Sequence, residues 1–68
     1  MTIQQFLTLM ENMNIYCEKI DAENYWIYHK SDFRIHFDTE TSEIYPLECD
    51  DRGDYHPITI ECLIEKLK

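Results

Sequence analysis

Hydrophobic residues recur at helical spacing at both ends of the chain and alternate with polar residues in its middle. In the first segment the apolar positions, three or four residues apart, are Ile3, Phe6, Leu7, Met10 and Met13. Thr2 followed three residues later by Gln5 is a capping-box pattern, in which two side chains satisfy backbone amides at the start of a helix. The spacing and the cap together predict a first helix over residues 2–13.

The segment after this helix allows two interpretations. The apolar stripe continues through Cys17 and Ile20, which would extend the helix to residue 20. Asn12 and Asn14 are unfavourable in helix interiors and favourable at helix ends, and the residues that follow them are β-prone. We therefore favour a short strand over residues 15–20 and keep the longer helix as the alternative.

The middle of the chain predicts a β-hairpin. Residues 25–30 are aromatic and β-prone, and residues 33–38 alternate apolar and polar side chains with a period of two. A tight two-residue turn within Lys30-Ser31-Asp32 would place even-numbered residues of the first strand opposite odd-numbered residues of the second. The residues that would then share the core face are Trp26, Tyr28, Phe33, Ile35 and Phe37.

A second hairpin is predicted to return through a strand over residues 44–49. Its hydrophobic pattern fits a register with Phe37 opposite Tyr45, which also brings Arg34 opposite Glu48 as an ion pair on the other face. The residues of this strand predicted to point into the core are Tyr45, Leu47 and Cys49. The hydrophobic pattern and the charge pairing favour the same register.

The remaining segments complete the predicted layout. Pro46 has no amide proton, so we expect its strand at the edge of the sheet. Residues 48–56 are polar, contain the only glycine and predict a surface loop. Beyond the candidate N-cap Thr59, the apolar positions of a final amphipathic helix are Ile60, Leu63, Ile64 and Leu67. The predicted fold is a single α+β domain over residues 1–68, with an N-terminal helix, an antiparallel meander of three or four strands and a C-terminal helix.

The chain is strongly acidic, and its charge is concentrated. Fourteen Asp and Glu against six Lys and Arg give a net charge of −8. Seven of the acids lie within residues 38–54 beside a single base, Arg52, which leaves that stretch with a net charge of −6. Such a charge repels nucleic acids and anionic membranes. The favoured partner is a basic protein surface, such as the surface with which a nucleic-acid-binding enzyme holds phosphates.

The residues that commonly carry catalysis or bind metals do not form a recognisable motif. The three cysteines and three histidines are isolated in sequence, without the paired spacing of a zinc site or a disulfide framework. No cysteine is placed beside a histidine by its spacing, as nucleophilic catalysis would require. Arg52-Gly53-Asp54 spells the integrin-binding tripeptide, but a match of three residues is explained by chance. We predict no enzymatic activity, no cofactor and no bound metal. The absence of a signal segment predicts a soluble cytoplasmic protein, in the host cytoplasm if the gene is viral.

The residues predicted to bind a partner form two groups. The carboxylates that stay free once Glu48 pairs with Arg34 are Asp38, Glu40, Glu43, Asp50, Asp51 and Asp54. The second group is the predicted open face of the sheet, which comprises Tyr25, Ile27, His29, Arg34 and His36. A mixed aromatic and polar surface of this kind suits a protein interface. The alternative is a small cellular or virion adaptor that forms homo-oligomers through this open face.

In size, charge and predicted helix–meander–helix layout, the chain resembles the small acidic inhibitors that phages make against DNA-handling enzymes. These include anti-CRISPR proteins and inhibitors of uracil-DNA glycosylase. The resemblance implies a compact domain whose carboxylates occupy a nucleic-acid site on a larger protein, so that the domain acts as a DNA mimic. It covers the whole chain at the level of size, charge and layout, and no individual residue is assigned a role from it.

Overall fold

The computed structural model of the chain describes residues 1–29 and 32–68. Within these residues it contains α1 (Ile3–Asn12), β1 (Cys17–Asp21), β2 (Asn24–Ile27), β3 (Phe33–Phe37), β4 (Ile44–Cys49), β5 (Tyr55–Pro57) and α2 (Ile60–Leu67). The strands form one antiparallel sheet in which each pairs with its neighbour in sequence. The predicted α+β class, the meander and both terminal helices are confirmed, whereas the sheet has five strands where three or four were predicted.

Both helices begin where the sequence predicts. The Thr2 hydroxyl accepts a hydrogen bond from the Gln5 amide at 3.3 Å, and the Gln5 side-chain oxygen accepts one from the Thr2 amide at 2.9 Å. At α2, the Thr59 hydroxyl accepts the Cys62 amide at 3.1 Å. Asn14 has a left-handed φ of 59°, which ends the first helical segment and directs the chain into β1. The favoured strand after α1 is therefore confirmed, and the longer helix is wrong.

The core lies between one face of the sheet and both helices. Its buried residues are Ile3, Phe6 and Met10 from α1, Ile27, Phe33, Ile35 and Ile44 from the sheet, and Leu63 and Leu67 from α2. Every buried helical residue belongs to the apolar stripe read from the sequence. Both helices therefore pack on the same face of the sheet.

The first hairpin has a different register from the predicted one. Ile27 pairs with Phe33 and Trp26 pairs with Arg34, so residues of equal parity face each other. Five residues separate Ile27 from Phe33, where a two-residue turn was assumed; the predicted turn at Lys30-Ser31-Asp32 lies partly outside the described residues. Because side chains alternate along a strand, this register places Tyr25 and Ile27 in the core and Trp26 on the opposite face.

The second hairpin is also shifted, by one residue. Phe37 pairs with Ile44, and Ile35 with Pro46. The turn closes through the Ser42 amide, which donates to the Asp38 carbonyl at 2.7 Å, and Ser42 has a left-handed φ of 62°. Ile44 and Pro46 are buried in place of the three residues predicted to point inward. This register favours Tyr45, because a tyrosine at the surface keeps its hydroxyl in water. The outward residues of β4 are Tyr45, Leu47 and Cys49.

The strand β4 is not at the sheet edge, contrary to the prediction from Pro46. The last two residues of the predicted loop, Tyr55 and His56, form β5 together with Pro57 and pair with β4. Pro46 lies opposite Ile58, just beyond the end of β5, and its carbonyl accepts the Ile58 amide at 3.1 Å. Because Pro46 lies beyond the end of β5, the amide proton that it lacks removes no hydrogen bond between β4 and β5. A three-residue strand after an acidic turn leaves too weak a pattern to be recognised in the sequence.

Burial of Cys17 against the core raises the pKa of its thiol to about 11. We expect this thiol to react with iodoacetamide at pH 8 about 100-fold more slowly than in the unfolded chain, because the thiolate is the nucleophile. A mass-spectrometric time course of alkylation, with and without urea, measures the ratio. Equal rates in the two conditions would show that Cys17 is not held against the core.

Candidate interaction face

Within the described residues, neither helix covers the second side of the sheet, which we call the outer face. The residues on the outer face are Tyr16, Glu18, Asn24, Trp26, Tyr28, Arg34, His36, Tyr45, Leu47, Cys49, Tyr55 and Pro57. Most of the large hydrophobic side chains that are exposed in the structure belong to this set: Tyr16, Trp26, Tyr28 and Tyr45. A contiguous exposed patch of aromatic side chains is typical of an interaction surface.

Three aromatic rings form a continuous row where β1 begins and β2 ends, which we call the aromatic ridge (Tyr16, Tyr28 and Trp26). The ring centroids of Tyr16 and Tyr28 are 5.3 Å apart, and those of Tyr28 and Trp26 are 5.0 Å apart. The hydroxyl of Tyr28 donates to the Glu18 carboxylate, and this hydrogen bond raises the pKa of Tyr28. These contacts hold exposed rings in fixed positions, which lowers the entropy cost of binding.

Asp32 fixes two aromatic side chains that come from separate strands. Its carboxylate accepts a hydrogen bond from the Trp26 indole Nε1 at 3.2 Å and another from the Tyr55 hydroxyl at 2.5 Å. Burial raises the pKa of Tyr55, as does the Asp32 carboxylate, so this hydroxyl remains a donor. The Arg34 guanidinium lies over the Tyr55 ring, 4.6 Å from its centroid. One carboxylate thus orients both Trp26 and Tyr55 on the outer face.

The upper end of the sheet, at residues 21–24 and 38–43, carries five carboxylates and neither Lys nor Arg. These carboxylates belong to Asp21, Glu23, Asp38, Glu40 and Glu43. The Phe37 amide donates to the Glu23 carbonyl at 2.9 Å, which brings the two turns together. Glu23, Asp38 and Glu40 line an open pocket of about 360 Å³ with His36 and Tyr45. Pairing of β2 with β3 therefore joins acids that are distant in sequence.

Several carboxylates of the upper end have structural partners. The Asp38 side chain accepts the Glu40 amide at 2.8 Å, and the Glu43 carboxylate lies 3.4 Å from the N-terminal amine. Hydrogen bonds from the Glu23 amide and from Asn24 lower the pKa of Asp21. Among the described residues, the carboxylate of Glu40 makes no ion pair. It is therefore the clearest candidate at this end to meet a cation of a partner.

The lower end of the sheet comprises residues 28–29, 32 and 50–54. Asp50 organises the turn between β4 and β5, because its carboxylate accepts the Arg52 amide at 2.8 Å and the Asp54 amide at 3.0 Å. His56 Nε2 lies 2.6 Å from the same carboxylate. The hydrogen bond between Asp50 and His56 lowers the pKa of the Asp50 carboxyl, and the hydrogen bonds from the backbone amides of Asp54 and Arg52 lower it further. In the described residues the carboxylates of Asp51 and Asp54 make no ion pair, and both residues are exposed.

The outer face is thus bounded by carboxylates at two opposite ends. The six residues of β4 separate the two ends, a distance of about 20 Å at 3.3 Å per residue. Of the six carboxylates predicted to bind a partner, three lie at each end: Asp38, Glu40 and Glu43 at the upper, Asp50, Asp51 and Asp54 at the lower. The acidic stretch of the sequence is divided in space, with aromatic side chains between its halves.

The predicted open face is partly wrong. Arg34 and His36 lie on the outer face, as predicted, but Tyr25 packs against Phe37 on the core side, with ring centroids 5.6 Å apart. The predicted pair between Arg34 and Glu48 is also wrong, since Leu47 lies opposite Arg34. Glu48 lies on the helix side and pairs with Lys66 of α2. Each error follows from the shifted hairpin registers.

Sequence reasoning missed the aromatic ridge and Asp32. Trp26 and Tyr28 were assigned to the core because the assumed two-residue turn placed them on the same face as Phe33, although both carry a polar group that prefers a partner or water. That polar group was the available signal. No sequence signal connected Asp32 to Tyr55, because 23 residues separate them. The acids Asp21 and Glu23 were also left out of the predicted partner-binding residues.

The chain was compared with protein-family models, with curated proteins and with solved structures, and none of them matches it. Within residues 1–29 and 32–68, no helix is long and apolar enough to cross a membrane. In the same residues, His, Cys, Asp and Glu side chains form no group of three or more that is arranged to hold a metal ion. The function is therefore inferred from the outer face and its charges.

Proposed function

We propose that the protein is a non-enzymatic interaction protein that docks its outer face on a basic surface of a larger protein and occludes that surface. The observation that supports this proposal best is the uncovered aromatic face with carboxylates at both of its ends. Tryptophan and tyrosine are enriched among the few residues that carry most of the binding energy at protein interfaces. Carboxylates at the rim attract a positively charged partner and orient it during the encounter.

A nucleic-acid-binding enzyme is the class of partner that fits these features best. Its phosphate-binding surface is basic, and a domain with a net charge of −8 competes for that surface. In the proposed complex the two acidic ends, about 20 Å apart, contact cations of the partner. The aromatic side chains between the two ends make an apolar or stacking contact with the partner. The mechanism is steric and electrostatic, in the manner of a DNA-mimic or anti-CRISPR-like inhibitor.

A second copy of the chain is a less favourable partner for this face. Both ends of the outer face are acidic, so stacking two copies places acidic ends against each other in either orientation. Like charges in contact oppose association. The homo-oligomeric adaptor thus has weaker support than binding to a basic partner, and light scattering at low ionic strength distinguishes the two by mass.

Neutralising the exposed carboxylates should slow association with the partner. In the triple variant Glu40→Gln, Asp51→Asn, Asp54→Asn, which leaves Asp50 and its turn intact, we expect the association rate at low salt to fall about tenfold. The salt dependence of this rate should also become weaker, while dissociation changes little. Stopped-flow or surface-plasmon measurements over a salt series, with the partner captured by the full chain, give both quantities.

The helices provide a control with the same change in charge. Glu11, Glu61 and Glu65 are exposed and lie on α1 and α2, so their replacement by Gln removes three charges from the other side of the molecule. We expect this variant to associate at a rate within about twofold of the original chain. Equal slowing in the two triple variants, or rates independent of salt, would contradict docking through the outer face.

A further inference from the structure

We propose that the aromatic ridge is a binding subsite for an arginine side chain of the basic partner. This inference rests on the proposed function and assigns one side chain of the partner to one place on the outer face. All three rings are exposed: Tyr16 is 65% exposed, Tyr28 48% and Trp26 37%. A cation within about 6 Å of such ring centroids is attracted by their π-electrons.

Carboxylates lie beside the ridge at both flanks. Tyr28 donates to Glu18, and Trp26 donates to Asp32, so each carboxylate is held next to a ring by the polar group of that ring. An ionised carboxylate has about four acceptor sites; Glu18 uses one for Tyr28 and Asp32 uses two, for Trp26 and Tyr55, so acceptor sites remain at both residues. A guanidinium stacked on the rings can donate in its own plane to these oxygens. The ridge thus offers both a stacking surface and hydrogen-bond acceptors.

This combination favours arginine over lysine. The guanidinium is planar and weakly hydrated, stacks on aromatic faces and presents five N–H donors, whereas the ammonium of lysine is compact and strongly hydrated. The outer face already holds one such contact within the chain, because Arg34 lies over Tyr55 at 4.6 Å. The Nε of Arg34 is buried and makes no hydrogen bond within the described residues, so stacking accounts for this placement better than hydrogen bonding does.

The charge of the face disfavours nucleic acid as the occupant of the ridge. The upper end carries five carboxylates without Lys or Arg, and the described part of the lower end carries four against Arg52. Single-stranded nucleic acid also stacks on aromatic side chains, but such sites use basic grooves to hold the backbone. A cationic protein surface is the partner that satisfies both the rings and the charges.

The test uses hexa-arginine and hexa-lysine peptides of equal charge, titrated separately into the full ¹⁵N-labelled chain at low salt. We expect hexa-arginine to shift the indole N–H signal of Trp26 and the amide signals of Tyr16 and Tyr28, and to bind at least threefold more tightly than hexa-lysine. The double variant Tyr16→Leu, Tyr28→Leu keeps apolar side chains but removes two rings, and should lose this preference. Tyr45→Leu, which removes an exposed ring outside the ridge, is the matched control and should retain it.

The outcomes separate this inference from the proposed function. Equal binding of the two peptides, with shifts confined to the acidic ends, would overturn the arginine subsite and leave the docking of a basic surface intact. Retention of the arginine preference in a folded double variant would also overturn the subsite. Binding of neither peptide at low salt would contradict the proposed function as well. Dispersed amide spectra of all variants establish that each is folded.

Discussion

Replacing Ile27 with Asn is expected to lower the free energy of unfolding by about half or more, whereas replacing its neighbour Trp26 with Asn is expected to lower it far less. Ile27 is 1% exposed and packs between the sheet and the helices, so the substitution removes apolar contacts and buries an amide without partners. Together these effects cost more than about 4 kcal/mol. A domain of 68 residues has a total free energy of unfolding of about 3 to 10 kcal/mol.

Trp26 lies on the outer face, and its replacement removes a ring contact with Tyr28 and the hydrogen bond to Asp32. We expect the free energy of unfolding to fall by about 1 to 2 kcal/mol, so that most molecules remain folded. Far-UV circular dichroism at 25 °C and urea titration distinguish the two variants. If Ile27→Asn were the more stable variant of the two, Trp26 and not Ile27 would lie in the core, and the register of the first hairpin would be wrong.

Replacing Phe6 with Ala should destabilise the protein by about 3 to 5 kcal/mol. Phe6 has no exposed surface, belongs to the middle of α1 and packs in the cluster that joins both helices to the sheet. The substitution removes a whole ring and leaves a cavity that neighbouring side chains fill only in part. The midpoint of urea unfolding, followed by circular dichroism at 222 nm, measures the loss.

The same helix supplies the control for this experiment. Gln4 is exposed on α1, and its replacement by Ala removes no buried contact, so the free energy of unfolding should change by less than about 0.5 kcal/mol. If both alanine variants shift the midpoint equally, α1 is not packed on the sheet through Phe6. A large loss for Phe6→Ala alone is the expected result.

Local patterns predicted both helices and four of the five strands but not the strand registers. The capping residues Thr2, Gln5 and Thr59 act within one turn of chain, so neighbouring residues were sufficient to place both helix starts. Strand register depends on the length of the connecting loop, and the five residues after Ile27 give no turn motif that specifies it. A change of one residue in the loop length exchanges the two faces of a strand, which moved Trp26 out of the predicted core.

The acidic part of the candidate site was predictable, because charge concentrated in one stretch is visible in composition alone. The arrangement of that charge was not predictable, since β4 separates the two acidic turns by its full length. The contacts that define the outer face, such as Asp32 with Tyr55, join residues far apart in the sequence. Such contacts depend on strand order and register, which local propensities do not determine.

The position of the only tryptophan has a practical consequence for spectroscopy. Trp26 and four of the five tyrosines, namely Tyr16, Tyr28, Tyr45 and Tyr55, lie on the outer face, while Tyr25 alone packs on the core side. Ultraviolet absorption and intrinsic emission therefore come largely from the candidate interface and not from the hydrophobic core. A ligand seated on the outer face changes this emission without any added label, and a ligand seated on the helices leaves it unchanged.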